Sequence, residues 1–194
     1  MPTKCLYDAG HEWTLNSNLY FQNHEAVRQV TIILSSLHID ITFLVIVIAF
    51  LLLAKSARII YLTLVFYTIR GVCQALFLFQ YPSDWIFDDP GLFSLMVPYQ
   101  KASDFYYSGH SGFLMMSTLE FIQMRLVSVA FINFLLMLFT GWMLITTRAH
   151  YTIGKVTLDS DIVIGWTFAI YTYRVVYLYK KTWDNFFRKL FGIA

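Results

Sequence analysis

Charge is what this sequence has least of. Only 13% of its 194 residues are Asp, Glu, Lys or Arg, where a soluble domain carries about a quarter. That shortfall, with 58% hydrophobic residues and a positive mean hydropathy, excludes a soluble domain and marks a polytopic membrane protein of one domain. Cysteine is scarce as well. Cys5 and Cys73, the second inside an apolar run, imply neither a disulfide nor a redox compartment. No apolar run falls within the first 29 residues, so no cleavable signal peptide is expected. Internal repeats, low-complexity linkers, metal-ligand spacings, Gly-rich nucleotide loops and nucleophile elbows are all missing, so no metal or other cofactor is expected. The net charge of +2 is too small to point to nucleic acid.

What is present is apolar length. A helix crosses a bilayer with about 20 mostly apolar residues, and five segments qualify: about 31–54, 59–81, 109–123, 128–147 and 161–179. The expected fold is an all-α, polytopic transmembrane bundle of about five spans. A polar N-terminal segment (1–30) precedes the membrane domain (31–180), and a basic amphipathic tail (181–194) follows it. The connections 55–58 and 124–127 are short enough to make their helices antiparallel neighbours. If the spans alternate, Lys55, Arg58, Arg125, Lys180, Lys181, Arg188 and Lys189 share one side, which the positive-inside rule makes cytoplasmic. The N-terminus and the loops 82–108 and 148–160 then face the lumen or exterior.

Alternation also returns "SGHS" (108–111) and "TRAH" (147–150), at the two ends of one hairpin, to the same membrane face. A histidine among small residues at a helix N-terminus sits beside backbone N–H groups that favour an anion. Ser108 and Ser111 offer hydroxyl donors, and His110 titrates near neutrality. Arg148 is shaped to hold a phosphate by two parallel hydrogen bonds, although membrane-edge snorkelling explains it equally well. Two imidazoles, a guanidinium and a helix N-terminus on one face suit phosphoryl transfer: one imidazole attacks phosphorus, the other protonates the leaving oxygen. Helix capping by the same residues is the plainer reading.

Arg70 falls near the middle of the second span, where a lone charge needs a partner inside the bundle. His38 and Asp40 are expected either to pair with it or to line the same cavity. Glu120 and Arg125 read as a structural charge cluster, and His11 and His24 as surface histidines. The tail places Trp183, Phe186, Phe187, Leu190 and Phe191 on one helical face with basic residues opposite. That pattern fits an interfacial anchor, with a docking helix for another protein as the alternative.

In these residues the chain resembles the sphingomyelin synthases and their relatives, including the phosphatidylcholine:diacylglycerol cholinephosphotransferase-type enzymes, within the lipid-phosphatase superfamily. "SDFYYSGHS" keeps Asp104, Ser108, Gly109 and His110 at the spacing of the family's G-D-x3-S-G-H-T motif, with Ser103 and Ser111 in place of Gly and Thr. "HYTI" (His150, Tyr151, Thr152, Ile153) matches the start of its H-Y-T-x-D-V motif, and "RGVCQALFLFQYP", with Arg70 and Pro82, loosely resembles a third. The resemblance covers about 59–166. It implies a helical core with its site facing outward, His150 as nucleophile, His110 as acid and then base, and substrate contacts from Ser108, Gly109, Ser111, Arg148, Arg70, Asp104 and Tyr151. It also implies lipid partners: a phosphatidylcholine or phosphatidylethanolamine donor, with ceramide, or failing that diacylglycerol, as acceptor. The family core has six helices, so its first has no counterpart among the five spans. The implied location is the endoplasmic reticulum, the Golgi or the plasma membrane, with the site on the lumenal or extracellular side.

One departure matters. The family's carboxylate stands four residues after the nucleophile, one helical turn on, and that position here is Gly154. The next aspartates are Asp159 and Asp161. On an uninterrupted helix Asp161 would lie about 16 Å from His150, beyond any hydrogen bond. Deleting 154–160 restores the spacing, so Asp161 is assigned as the displaced family aspartate. Three readings stay open: a short unspliced intron in the gene model, a looped insertion that folds back, or an inactive relative. Sequencing the transcript tests the first. A mature message without these seven codons is the expected result under it, and a message that encodes all seven residues removes it.

Overall fold

The computed structural model describes residues 9–53, 56–76, 84–97, 99, 108–150 and 161–191. Every regular element among them is helical: α1 (Ala9–Trp13), α2 (Leu15–Asn23), α3 (Glu25–Leu53), α4 (Arg58–Leu76), α5 (Gly109–Gln123), α6 (Val127–Thr146), α7 (Asp161–Leu178) and α8 (Lys180–Phe191). Of these, α3, α4 and α6 are long and apolar enough to cross a membrane. A fourth span is reached only if α7 is joined with α8, which bends away from it by 70°. The third expected span is shorter than a crossing. The fifteen residues of α5 rise only about 22 Å, against about 30 Å of hydrocarbon. The N-terminal segment, read from sequence only as polar, holds α1, α2 and the first turns of α3.

Burial is the reverse of what water selects. On α3 the buried stripe is Ile32, Ser35, Ser36, Ile39, Thr42, Ile46 and Ala49, spaced three or four apart as one helical face requires. Its outward face carries Leu34, Leu37, Ile41, Leu44, Val47, Ile48, Leu51 and Leu52, all exposed. On α6, Asn133, Thr140 and Gly141 are buried while Phe131, Ile132, Leu135 and Leu138 are exposed. Small and polar residues buried among apolar ones, with a surface of large apolar side chains, is the pattern of helices that pack in lipid. The chain is a helical membrane protein.

Ten residues of α5 are buried, and it packs between α6 and α7 with α3 and α4 on its other sides. Glycines set these distances. A Cβ on Gly112 would overlap the Phe66 ring, and one on Gly165 would lie 2.7 Å from the Ser108 carbonyl oxygen. The backbones of α5 and α7 therefore approach closely at the end where α5 begins, and side chains of α4 lie directly on α5.

The deepest tie is polar. Asn133 of α6 accepts at Oδ1 from Thr42 Oγ1 (2.7 Å) and His38 Nε2 (3.0 Å), and donates from Nδ2 to Thr118 Oγ1 (2.8 Å) and the Leu114 carbonyl (3.0 Å). All four hydrogen-bonding positions of the amide are occupied. His38 Nδ1 meets Thr140 Oγ1 at 3.2 Å. His38 is thus part of a knot that joins α3, α5 and α6, not a partner of Arg70. The Asp40 carboxylate takes hydrogen bonds from the Ser94 hydroxyl and the backbone N–H groups of Leu95 and Met96. It fixes a loop on the outer face of the bundle.

At the opposite end, Glu120 accepts from Arg58 Nε (2.9 Å) and Nη2 (2.6 Å) in a buried two-pronged ion pair. The charge cluster expected around Glu120 is present, with Arg58 as the cation paired to it. The tail does not float on the membrane surface alone. Trp183 of α8 stacks on Tyr61 of α4 with centroids 4.7 Å apart, and Asp184 accepts from Ser56 Oγ and the Ala57 N–H, a carboxylate favourably placed at the start of α4.

Replacing Asn133 by Leu fills the volume but leaves His38, Thr42, Thr118 and the Leu114 carbonyl without this partner. A loss of about 2 kcal/mol is expected from bonds that contribute about 0.6 kcal/mol each between membrane helices, plus the desolvation of what remains. Thermal or denaturant unfolding in neutral detergent measures it, and an unchanged midpoint would show that the knot is dispensable.

Candidate active site

The α5–α6 hairpin brings His110 and His150 to one place. Their ring centroids lie 6.2 Å apart with planes at 72°, although forty positions separate them in sequence. His110 is the second residue of α5, half-buried; His150 follows α6 and is only 1% exposed.

Each half of the site is built by its own helix end. The N-cap of α5 is Ser108, whose Oγ accepts from the Ser111 N–H (3.3 Å), as N-cap side chains commonly do. Ser111 Oγ donates back to the Ser108 carbonyl. Both serines are fully buried beside Gly165 of α7. They were expected to face a phosphate; their hydroxyls are turned instead into the cap and the α5–α7 contact. Gly109 does line the site. A Cβ there would lie 2.5 Å from Arg70 Nε and 2.7 Å from Cζ, so the absence of a side chain is what lets the guanidinium of α4 lie across the first turn of α5. Arg70, Gly109, His110 and Tyr67 line a cavity of ≈ 120 Å³ closed by Ile39, Met96 and Phe113. The Arg70 guanidinium also lies 5.8 Å from the Tyr67 ring centre. Arginine and the positive end of the α5 dipole repel each other, and an anion between them offsets that repulsion.

On the His150 side, α6 closes with the N–H of Arg148 on the Ile145 carbonyl (3.1 Å) and the N–H of Ala149 on the Leu144 carbonyl (2.9 Å). This is a Schellman ending, whose left-handed position usually holds glycine. Here it holds Arg148, at φ 59°. The guanidinium is 1% exposed and held from several directions: Nε donates to Asp84 Oδ2 (2.8 Å), Nη1 to Thr14 Oγ1 (2.8 Å) and Nη2 to the His11 carbonyl (2.7 Å). The expectation that Arg148 binds substrate is therefore revised. It clamps the turn that carries His150, and Arg70 is the arginine that faces the cavity.

The clamp belongs to a larger strap that sequence reading missed. Asn18 Nδ2 donates to the Thr146 carbonyl (2.8 Å), and the Ile86 N–H donates to the Thr147 carbonyl (3.0 Å), so the open carbonyls at the end of α6 are satisfied by other segments. Phe21 meets Trp142 edge-on at 5.8 Å, and Arg28 pairs with Asp88 at 2.7 Å. His11, expected on the surface, donates from Nε2 to the His150 carbonyl (3.1 Å); His24 is exposed, as expected. The strap left little signal in the sequence because several of its hydrogen bonds use backbone carbonyls, which any residue supplies, and its side-chain pairs join positions far apart in the chain.

Asp104, Tyr151, Pro82 and the segment 154–160 lie outside the described residues, as does the side chain of Asp161. Asp161 opens α7. Its neighbour Ile162 packs near Gly141 of α6, so α7 starts alongside the last turns of the helix that delivers His150. Comparison with protein-family models, with curated proteins and with solved structures returns no match.

The two left-handed arginines of the hairpin make a paired test, because Arg125 ends α5 in the same way at φ 64°, with the Leu126 N–H on the Phe121 carbonyl. In neutral detergent, Arg125→Gly is expected to raise stability by about 0.5–1 kcal/mol through relief of the backbone alone. Arg148→Gly relieves the same strain but removes the clamp and strands Asp84, with an expected net loss of about 1–3 kcal/mol. Unfolding midpoints that move in the same direction in both variants would mean that the Arg148 anchors hold nothing.

Proposed function

We propose that the chain is a phospho-headgroup transferase of membrane lipids, moving a phosphocholine-type group from a glycerophospholipid to a lipid hydroxyl through a phosphohistidine. The observation that carries this reading is the convergence of His110 and His150 at 6.2 Å, beside the Arg70 cavity. The motif resemblance at "SGHS" and "HYT" supplies the substrate class.

In the first half-reaction an imidazole nitrogen of His150 forms a bond to phosphorus as the bond from phosphorus to the glycerol oxygen breaks. Protonated His110 gives its proton to that oxygen, and diacylglycerol departs. In the second, His110 takes the proton of the acceptor hydroxyl as the acceptor oxygen bonds to phosphorus and the N–P bond breaks. Ceramide is the first choice of acceptor and diacylglycerol the second. Arg70 and the α5 N-terminus steady the phosphoryl oxygens, which carry the developing charge. His150 is almost fully buried and its carbonyl is held by His11 of the N-terminal strap, so we infer that a headgroup reaches it from the Arg70 cavity side.

The proposed setting is a bundle in which α3, α4, α5, α6 and α7 alternate in direction. The basic end faces the cytoplasm, and the histidines face the lumen or exterior of a secretory-pathway or plasma membrane. The burial of His150 and Gly154 in place of the family carboxylate favour one rival, a lipid-binding relative without activity. A lipid phosphatase or phosphodiesterase uses the same groups with water as acceptor.

The deciding experiment follows headgroup-labelled phosphatidylcholine, and in parallel phosphatidylethanolamine, with ceramide or diacylglycerol in vesicles that contain the full chain. Transfer is expected to fall by about 10³-fold or more in His150→Ala and by about 10²–10⁴-fold in His110→Ala. Arg70→Gln is expected to lower kcat by about 10²-fold. Transfer that persists in His150→Ala overturns the assigned nucleophile. Label released to water identifies the hydrolase. Activity that appears only once 154–160 are deleted identifies the disabled relative.

A further inference from the structure

The end of the bundle opposite the histidines holds a second and larger cavity, ≈ 510 Å³ in volume, within the range of about 300–1,000 Å³ that small-molecule sites occupy. Its walls differ in kind. Phe50, Leu53 and Ile59 make an apolar side, while Arg58, Arg125 and Lys180 bring cations from the start of α4, the α5–α6 turn and the start of α8. Glu120 is the acid that lines it, and its two oxygens are taken by Arg58. Arg125 and Lys180 have no acidic partner among the described residues, so the cavity carries an excess of positive charge.

Arg125 adds an independent sign. It stands at φ 64°, in a helix ending where glycine is the unstrained choice, and the strain places a guanidinium at this cavity. Strain that persists where a common residue would remove it points to a functional demand. Lys181, Arg188 and Lys189 of α8 are exposed, and α8 leaves α7 at 70°, as a helix lying along a membrane surface does.

We infer that this cavity binds the phosphate of an anionic phospholipid, with an acyl chain against Phe50, Leu53 and Ile59 and the headgroup between Arg125 and Lys180. Basic pockets between helices at the cytoplasmic side recognise anionic headgroups in this way, and the charge-assisted bonds of a guanidinium select phosphate over a zwitterion whose own ammonium competes. The site is separate from the histidine site and does not depend on it. That this end faces the anionic leaflet rests on the orientation proposed above.

The test measures the thermal stability of the purified full chain in neutral detergent, titrated with dioctanoyl phosphatidic acid, dioctanoyl phosphatidylcholine or inorganic phosphate. Saturable stabilisation by phosphatidic acid is expected, about tenfold weaker in apparent affinity for Arg125→Gln/Lys180→Gln and unchanged for Arg188→Gln/Lys189→Gln. Persistence of the shift in His150→Ala separates this site from the transfer site. Equal stabilisation by phosphatidylcholine overturns anionic selectivity, and equal stabilisation by inorganic phosphate overturns the lipid as occupant. Equal weakening in both double variants shows a diffuse surface charge and overturns the cavity. The absence of any shift does the same.

Discussion

Asn133 is the residue on which the arrangement of the bundle rests. Helices in lipid gain nothing by hiding apolar surface from one another, because the acyl chains are as apolar as leucine. What selects one packing is polar groups that no lipid can satisfy. The Asn133 side chain meets that demand with His38, Thr42, Thr118 and a backbone carbonyl of α5, and so fixes the rotation of α3 and α6 about α5. The glycine contacts at the site end then follow. With α5 held on that side, α4 and α7 approach where Gly109, Gly112 and Gly165 leave room.

The two histidines meet at a boundary between different chemistries. On the α5 side, an arginine and a helix N-terminus converge on a small cavity and favour an anion. On the α6 side, an arginine is locked into a strained turn by Asp84, Thr14 and the His11 carbonyl and holds the backbone that presents His150. The sequence offers the two arginines as equivalents. Their surroundings put one at a cavity and make the other a brace.

Much of this was readable before any coordinates. Apolar length located the five main helices, to within two residues at most ends, because lipid-facing surfaces leave long unbroken runs. The hairpin logic placed His110 and His150 at the same membrane face, because a short turn makes its helices antiparallel; that they meet came from the structure. Other features were hidden. The backward extension of α3 to Glu25 was masked by a polar first turn, and nothing in the composition of 9–24 distinguishes a strap that bonds to carbonyls from a solvated tail. Whether a serine hydroxyl faces a ligand or its own helix cap depends on rotation about one helix axis, which Gly165 decides from fifty residues away. The pairing of Glu120 with Arg58 over the nearer Arg125 reflects the same limit: proximity in sequence counts for little once helices far apart in the chain pack side by side.

The shortness of α5 has a consequence for how the molecule senses its surroundings. Both helices of the hairpin start from the same level, yet α6 runs five residues further than α5, so the N-terminus of α5 lies about 7 Å below the end of its neighbour. The polar groups gathered there are set deeper than the end of α6. Their depth below the lipid headgroups then varies with the thickness of the surrounding bilayer. A thin membrane brings headgroups level with these groups, and a thick, sterol-rich one lifts the headgroups away. A short helix between longer neighbours is thus the element of this fold most exposed to a change in bilayer thickness.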